Sequence, residues 1–204
     1  MKVLVHIILI ALIAILGYTT VKSVSEPINF KKEQEKRYKA TIQRLKDIRT
    51  AQGAFKEVNG DYTASFDTLI DFVKNGQLAV VRKIGEIPEE LLGQITEQEA
   101  IAKGMIIRDT TKISVLDSLF PAGYKIDSLR YIPYSLGREF YLRKGVVETA
   151  SKLKVKVFEA TAPSKYILTG LDEQEIINLN DNLEYKGLKV GSITEVNNGA
   201  GNWE

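Results

Sequence analysis

The feature that most constrains this chain is the uncharged run from Val3 to Val21, almost continuously Val, Leu, Ile and Ala as far as Leu16. About nineteen helical residues reach roughly 28 Å, close to the ~30 Å hydrocarbon core of a bilayer. In water such a run would expose more contiguous apolar surface than soluble monomers carry. The run therefore reads as a membrane-spanning helix, with Val3, Leu4, Ile7, Ile8, Ile10, Leu12, Ile13 and Leu16 facing lipid and Tyr18 as an interfacial aromatic. The rival is a cleaved signal peptide. No convincing small-x-small pattern follows the core at Leu16-Gly17-Tyr18-Thr19-Thr20, and Ser23-Val24-Ser25 lies late, which favours an uncleaved anchor.

Orientation is contested within the sequence itself. Lys2 precedes the run, whereas Lys22, Lys31, Lys32, Lys36, Arg37 and Lys39 follow it. Counted strictly, the positive-inside rule holds the rest of the chain in the cytoplasm. A two-residue head leading at once into an apolar segment has the form of an export signal, and this favours an inner-membrane protein with a periplasmic head.

Pro27 is expected to end or kink the membrane helix. A second helix is expected from Phe30 to Val58. At about 100° per residue, Tyr38, Ile42 and Leu45 share one face, while Ile48, Ala51, Phe55 and Val58 share another. Arg49 and Gln52 stand where a heptad needs apolar residues, so a long coiled coil is not expected. The Tyr38 face either packs on its own domain or takes a partner helix.

Asn59-Gly60 closes that helix, and Ser65 caps another from Phe66 to Lys74 with Phe66, Leu69, Ile70 and Val73 inward. Strands are expected at Leu78–Ile84, Met105–Val115, Arg130–Ile132, Glu139–Arg143, Leu153–Ala160, Tyr166–Thr169 and Leu188–Thr194. Helices are expected at Pro88–Lys103, interrupted by Gly93, and at Asp172–Asn180. The fold class is α+β with a pilin-like layout. Residues 1–26 form the anchor, 27–60 a long amphipathic stalk helix, and 61–204 a single β-rich head.

Chemistry is sparse. Lys and Arg number 28 against 26 Asp and Glu, a formal net charge of +2 that gives no general attraction for nucleic acid. Cysteine is absent, and the single histidine, His6, lies in the apolar run, so the head lacks thiolate and imidazole chemistry. Ser151-Lys152-Leu153-Lys154 has a serine-x-x-lysine spacing without its companion motifs, and reads as a strand start. Asp109-Thr110-Thr111 lacks the glycine and second copy of an aspartic-protease dyad. Asn178, Asn180, Asn182 and Glu184, with Asp172, Glu173, Glu175 and Asp181 nearby, hint at calcium but lack the central Gly of a binding loop. Glu89-Glu90 and Glu97/Glu99 read as helix charge bias. No catalytic, cofactor-binding or metal-binding residues are expected, nor an enzyme. Tyr124, Tyr131, Tyr134 and Tyr141 are either core or an exposed recognition patch, and Trp203 either docks back or meets a partner.

The segment Arg44–Gln52 followed by Asn59-Gly60-Asp61-Tyr62 resembles type IV pilins and pseudopilins. The apolar run lacks their leader Gly and their Glu, so this resemblance implies the anchor–helix–head layout and not the processing. Over most of the chain, Pro27-Ile28-Asn29-Phe30, Lys46-Asp47-Ile48-Arg49, Asp117-Ser118-Leu119-Phe120, Val157-Phe158-Glu159-Ala160, Lys189-Val190-Gly191-Ser192 and Gly201-Asn202-Trp203 resemble uncharacterised anchored envelope proteins of Bacteroidetes-type bacteria. That implies an envelope location. The expected role is a non-enzymatic component of an envelope assembly, contacting the lipid bilayer and other envelope proteins in a homo- or hetero-oligomer. Tyr38, Ile42, Leu45 and Trp203 are its candidate partner contacts. A membrane-anchored ligand-binding or sensor module, for a glycan, lipid or calcium, is the alternative.

Overall fold

A computed structural model describes every residue except Met1, Glu89, Glu90, Leu92 and Asn182, with the side chains of residues 2–5, 81–83, 109 and 110 also outside the description. In chain order the elements are α1 (Lys2–Asn59), α2 (Phe66–Asn75), β1 (Gln77–Ile84), α3 (Glu97–Ala102), β2 (Ile107–Ser114), α4 (Val115–Leu119), a 3-10 turn (Ile126–Arg130), β3 (Tyr141–Glu148), β4 (Lys154–Pro163), α5 (Ser164–Ile167), α6 (Glu173–Asn180) and β5 (Gly187–Gly191). The class is α+β. Among the described residues α1 is the helix long and apolar enough to cross a membrane. An 18-residue window within it has mean hydropathy 2.1, and none of that window is buried.

The expected break at Pro27 is absent, because α1 runs through it as one helix of 58 residues. Proline leaves the carbonyl of Ser23 without its helical donor. That carbonyl belongs to an exposed turn, where solvent access offsets the loss. Asn59 ends α1 as expected, with Gly60 at φ 69 donating to the carbonyl of Lys56 at 2.8 Å.

Two compact units emerge, one of residues 1–49 and 130–204, the other of residues 50–129, with bounds that differ from the division at 26 and 60. In the first, β3, β4 and β5 form an antiparallel sheet in that order. Its registers run from Tyr141↔Thr161 to Glu148↔Lys154 and from Glu159↔Gly191 to Pro163↔Gly187. The central strand is buried continuously from Val157 to Ala162. Arg143 pairs with the buried carboxylate of Glu159 directly across β3 and β4. After β5 the tail turns back. Gly201 bridges Val190, Asn202 Nδ2 donates to the carbonyl of Gly187 at 2.9 Å, and Arg49 reaches Glu204 at 2.8 Å. Gly191, at φ 72, is required by this return, since a methyl group there would strike the carbonyl of Phe158.

In the second unit, Ser65 accepts from the amide of Thr68, and α2 buries Phe66, Leu69, Ile70 and Val73. Phe72 meets Phe55 edge-on at 5.1 Å. Gln52, fully buried, donates to the carbonyl of Thr63 at 2.7 Å and accepts its amide at 3.1 Å. β1 and β2 pair as a two-stranded antiparallel ribbon from Gln77↔Ser114 to Ile84↔Ile107.

Three expectations are corrected. Of the helix expected at Pro88–Lys103, the described residues hold α3, which starts where Thr96 and Glu99 complete a reciprocal capping box; Glu89, Glu90 and Leu92 lie outside the described residues. Arg130–Ile132 is not a strand: a 3-10 turn occupies Ile126–Arg130, leaving one bridge, Tyr131↔Glu139. Tyr166–Thr169 is not a strand either, because Pro163 opens the helical turn α5 and Leu168 donates back to Ser164 at 2.9 Å.

Candidate functional site

The candidate site is built on α1 just past its apolar run, within the first unit. Arg37 donates to the carbonyls of Thr169 (2.9 Å) and Ile167 (3.4 Å), and the hydroxyl of Tyr38 lies 3.0 Å from that of Ser164. Burial pushes the Tyr38 phenol above its ordinary pKa, only partly countered by that hydrogen bond. These contacts hold α5 and the turn behind it against α1.

Beside them the loop between the Tyr131–Glu139 bridge partners is fixed from within. Ile132 donates to the carbonyl of Arg138 at 2.8 Å. The buried hydroxyl of Ser135 donates to the carbonyl of Ile132 at 2.6 Å and accepts the amide of Arg138 at 3.0 Å. To make this closure Tyr134 and Leu136 both adopt left-handed backbone, at φ 63 and φ 56. Each costs about 1–2 kcal/mol for a residue with a Cβ. The strained loop presents Leu136 at 92% exposure. A bulky apolar side chain is thus held in a rare backbone conformation and pointed at solvent.

Its surroundings are aromatic and basic. Lys36 and Arg37 each lie 5.5 Å from the ring of Tyr134, and Arg138 and Lys165 lie 5.4 Å and 5.0 Å from that of Tyr166. The rings of Tyr166 and Tyr141 are 6.4 Å apart, their hydroxyls 3.4 Å. That hydrogen bond lowers the pKa of Tyr166, helped by Lys165, and raises that of Tyr141. Ser135, Leu136, Arg138, Lys165, Tyr166 and Thr169 line a shallow depression of about 460 Å³. Glu33 pairs with Lys36 at 3.3 Å and with Arg37 at 3.7 Å, so the basic character of the depression rests on Arg138 and Lys165.

Of the sequence candidates, Ile7, Ile8, Ile10, Leu12, Ile13, Leu16 and Tyr18 are all exposed along α1, as lipid contact requires; the side chains of Val3 and Leu4 lie outside the description. Tyr38 and Ile42 are half-buried and Leu45 is fully buried, so the chain itself covers much of that face. Trp203 is half-buried, its ring lying over Gly201. Ser151 pairs with Thr149 at 2.9 Å in the turn before β4. The side chains of Asp109 and Thr110, and all of Asn182, lie outside the described residues. Asn178 accepts from Gln174 at 2.9 Å. No group of three or more His, Asp or Glu side chains gathers for a metal among the described residues. Tyr124 stacks on Phe120 at 4.6 Å, whereas Tyr131, Tyr134 and Tyr141 are exposed. Leu136 carries no periodic signal in Pro133-Tyr134-Ser135-Leu136-Gly137, and only the turn residues around it mark the loop.

Comparison with protein-family models, with characterised proteins and with solved structures gives no match.

Proposed function

We propose that this chain is a non-enzymatic, membrane-anchored component of a cell-envelope assembly, of pilus-like or secretion type, acting through protein–protein contacts. The observation that carries the reading is Leu136, 92% exposed on an internally clamped and strained loop. α1 supplies the anchor, the resemblance to anchored envelope proteins supports an envelope location, and the export-signal form of the short basic head before the apolar run favours a periplasmic head. A ligand-binding module is the second reading. Arg138 and Lys165 around the depression beside Tyr166 favour it, since two cations over one ring suit an anionic group.

The test is a photoreactive amino acid at position 136 in the full chain, irradiated in native membranes. Discrete protein adducts are the expected result; adducts to lipid alone, or none, would overturn the reading. Leu136→Gly separates contact from fold. Relief of left-handed strain outweighs the entropy that glycine adds to the unfolded chain, so stability should hold or rise by about 0.5–1 kcal/mol. Co-purifying partners should be lost.

A further inference from the structure

Resting on that reading, we propose that the surface around Leu136 takes a second copy of this chain, each Leu136 entering the groove between α5 and α6 of the other. That groove, about 440 Å³, is lined by Leu168, Leu171, Ile176 and Ile177, with Glu173 on its rim and Asn180 at its end. Two features mark it as open to an occupant. α6 buries none of its own residues, leaving Ile177 52% exposed. The charge differs from that of the loop: Arg138 and Lys165 border the depression of Leu136, whereas Glu173 stands with Lys165 on the groove.

Loop and groove also adjoin. Lys165 and Thr169 line both depressions, so one continuous surface carries an apolar projection with a basic flank next to an apolar recess that Glu173 and Lys165 both border. Such a surface is self-complementary under a two-fold rotation, which sets each projection over the other copy's recess. Two copies anchored in one membrane in the same sense are related by just this kind of axis, along the membrane normal. Confinement to the bilayer raises their effective concentration.

The chain has no cysteine, so introduced thiols report cleanly. Full-length Leu136→Cys and Ile177→Cys variants carrying different tags are co-reconstituted in lipid vesicles and oxidised. The mixed disulfide should exceed either self-disulfide by about tenfold, and Glu173→Arg should suppress it until Arg138→Glu is combined with it. Leu136→Ala should weaken association about tenfold to a hundredfold. The double-cysteine variant should stop at a covalent dimer, and a ladder of larger species would overturn the two-fold arrangement. Mixed and self-disulfides in equal yield, or none, would overturn the proposal. Adducts from position 136 to other envelope proteins without any mixed disulfide would remove this inference alone. Failure of both experiments would remove the assembly reading as well.

Discussion

The ribbon β1–β2 and the hairpin β3–β4 each pair over eight residues, so their backbone ladders are the same length. Their burial is not. β4 gains a second partner in β5 and hides an unbroken stretch from Val157 to Ala162. Among the described residues the ribbon has no third strand, and Val80 and Ile107 stand 46% and 57% exposed upon it. A two-stranded hairpin is marginal in water, because each intramolecular hydrogen bond largely replaces one with solvent. The hydrogen bonds therefore set register in both places, while buried apolar area sets stability in one.

The comparison breaks if core truncation in β4 is as mild as truncation in the ribbon. Phe158→Ala should cost about 3–5 kcal/mol in denaturant unfolding of the full chain in detergent, and Val80→Ala no more than about 0.5 kcal/mol. Similar losses at the two sites would mean that the ribbon is held by something other than its own faces. A smaller effect sharpens the contrast from the side of the second unit. Gln52 clamps the Thr63 backbone at both its amide and its carbonyl, so Gln52→Ala leaves two buried polar groups unpaired and should cost about 1–3 kcal/mol. Hydrogen exchange at the Thr63 amide gives the direct readout.

The smallest effect concerns the tail that closes the three-stranded sheet. The Arg49 guanidinium, and then the amide of Gly201, hold the Glu204 carboxyl below its ordinary value. A depressed carboxylate contributes stability above the ordinary glutamate pKa of about 4.3, and that contribution is lost as pH falls through the depressed value. Trp203, the sole tryptophan, neighbours this contact. Its emission should shift during acidification below about pH 4.3, and Glu204→Gln should remove the transition.

Local chemistry was the legible part of the fold. Ser65, Asn59-Gly60 and the inward face of α2 were readable because caps and periodicity act within a few residues. Pro27 misled because its penalty depends on whether the freed carbonyl is buried, which no short window contains. The Tyr166–Thr169 segment looked like a strand from its side chains, but Pro163 and the Leu168-to-Ser164 hydrogen bond make it a helical turn. Leu136 was illegible for a deeper reason. Its exposure follows from a clamp by Ser135 and a bridge between Tyr131 and Glu139, and nothing about a leucine announces that it will face outward.

The first unit is assembled from two stretches of chain with the whole second unit's sequence between them. Its ties span great loops: Tyr38 to Ser164 crosses 126 residues, and Arg49 to Glu204 crosses 155. Contacts so distant in sequence are slow to form, since loop closure must precede any gain from them. During synthesis residues 50–129 emerge as a continuous stretch able to collapse by itself, while the early part of α1 waits for β3, β4, β5 and the tail. The face of α1 that ends beneath Ser164 and Glu204 is thus an exposed, sticky surface throughout the interval between its own synthesis and release of the chain. A chaperone that shields that interval should matter more to this protein's yield than to that of a chain whose units are contiguous.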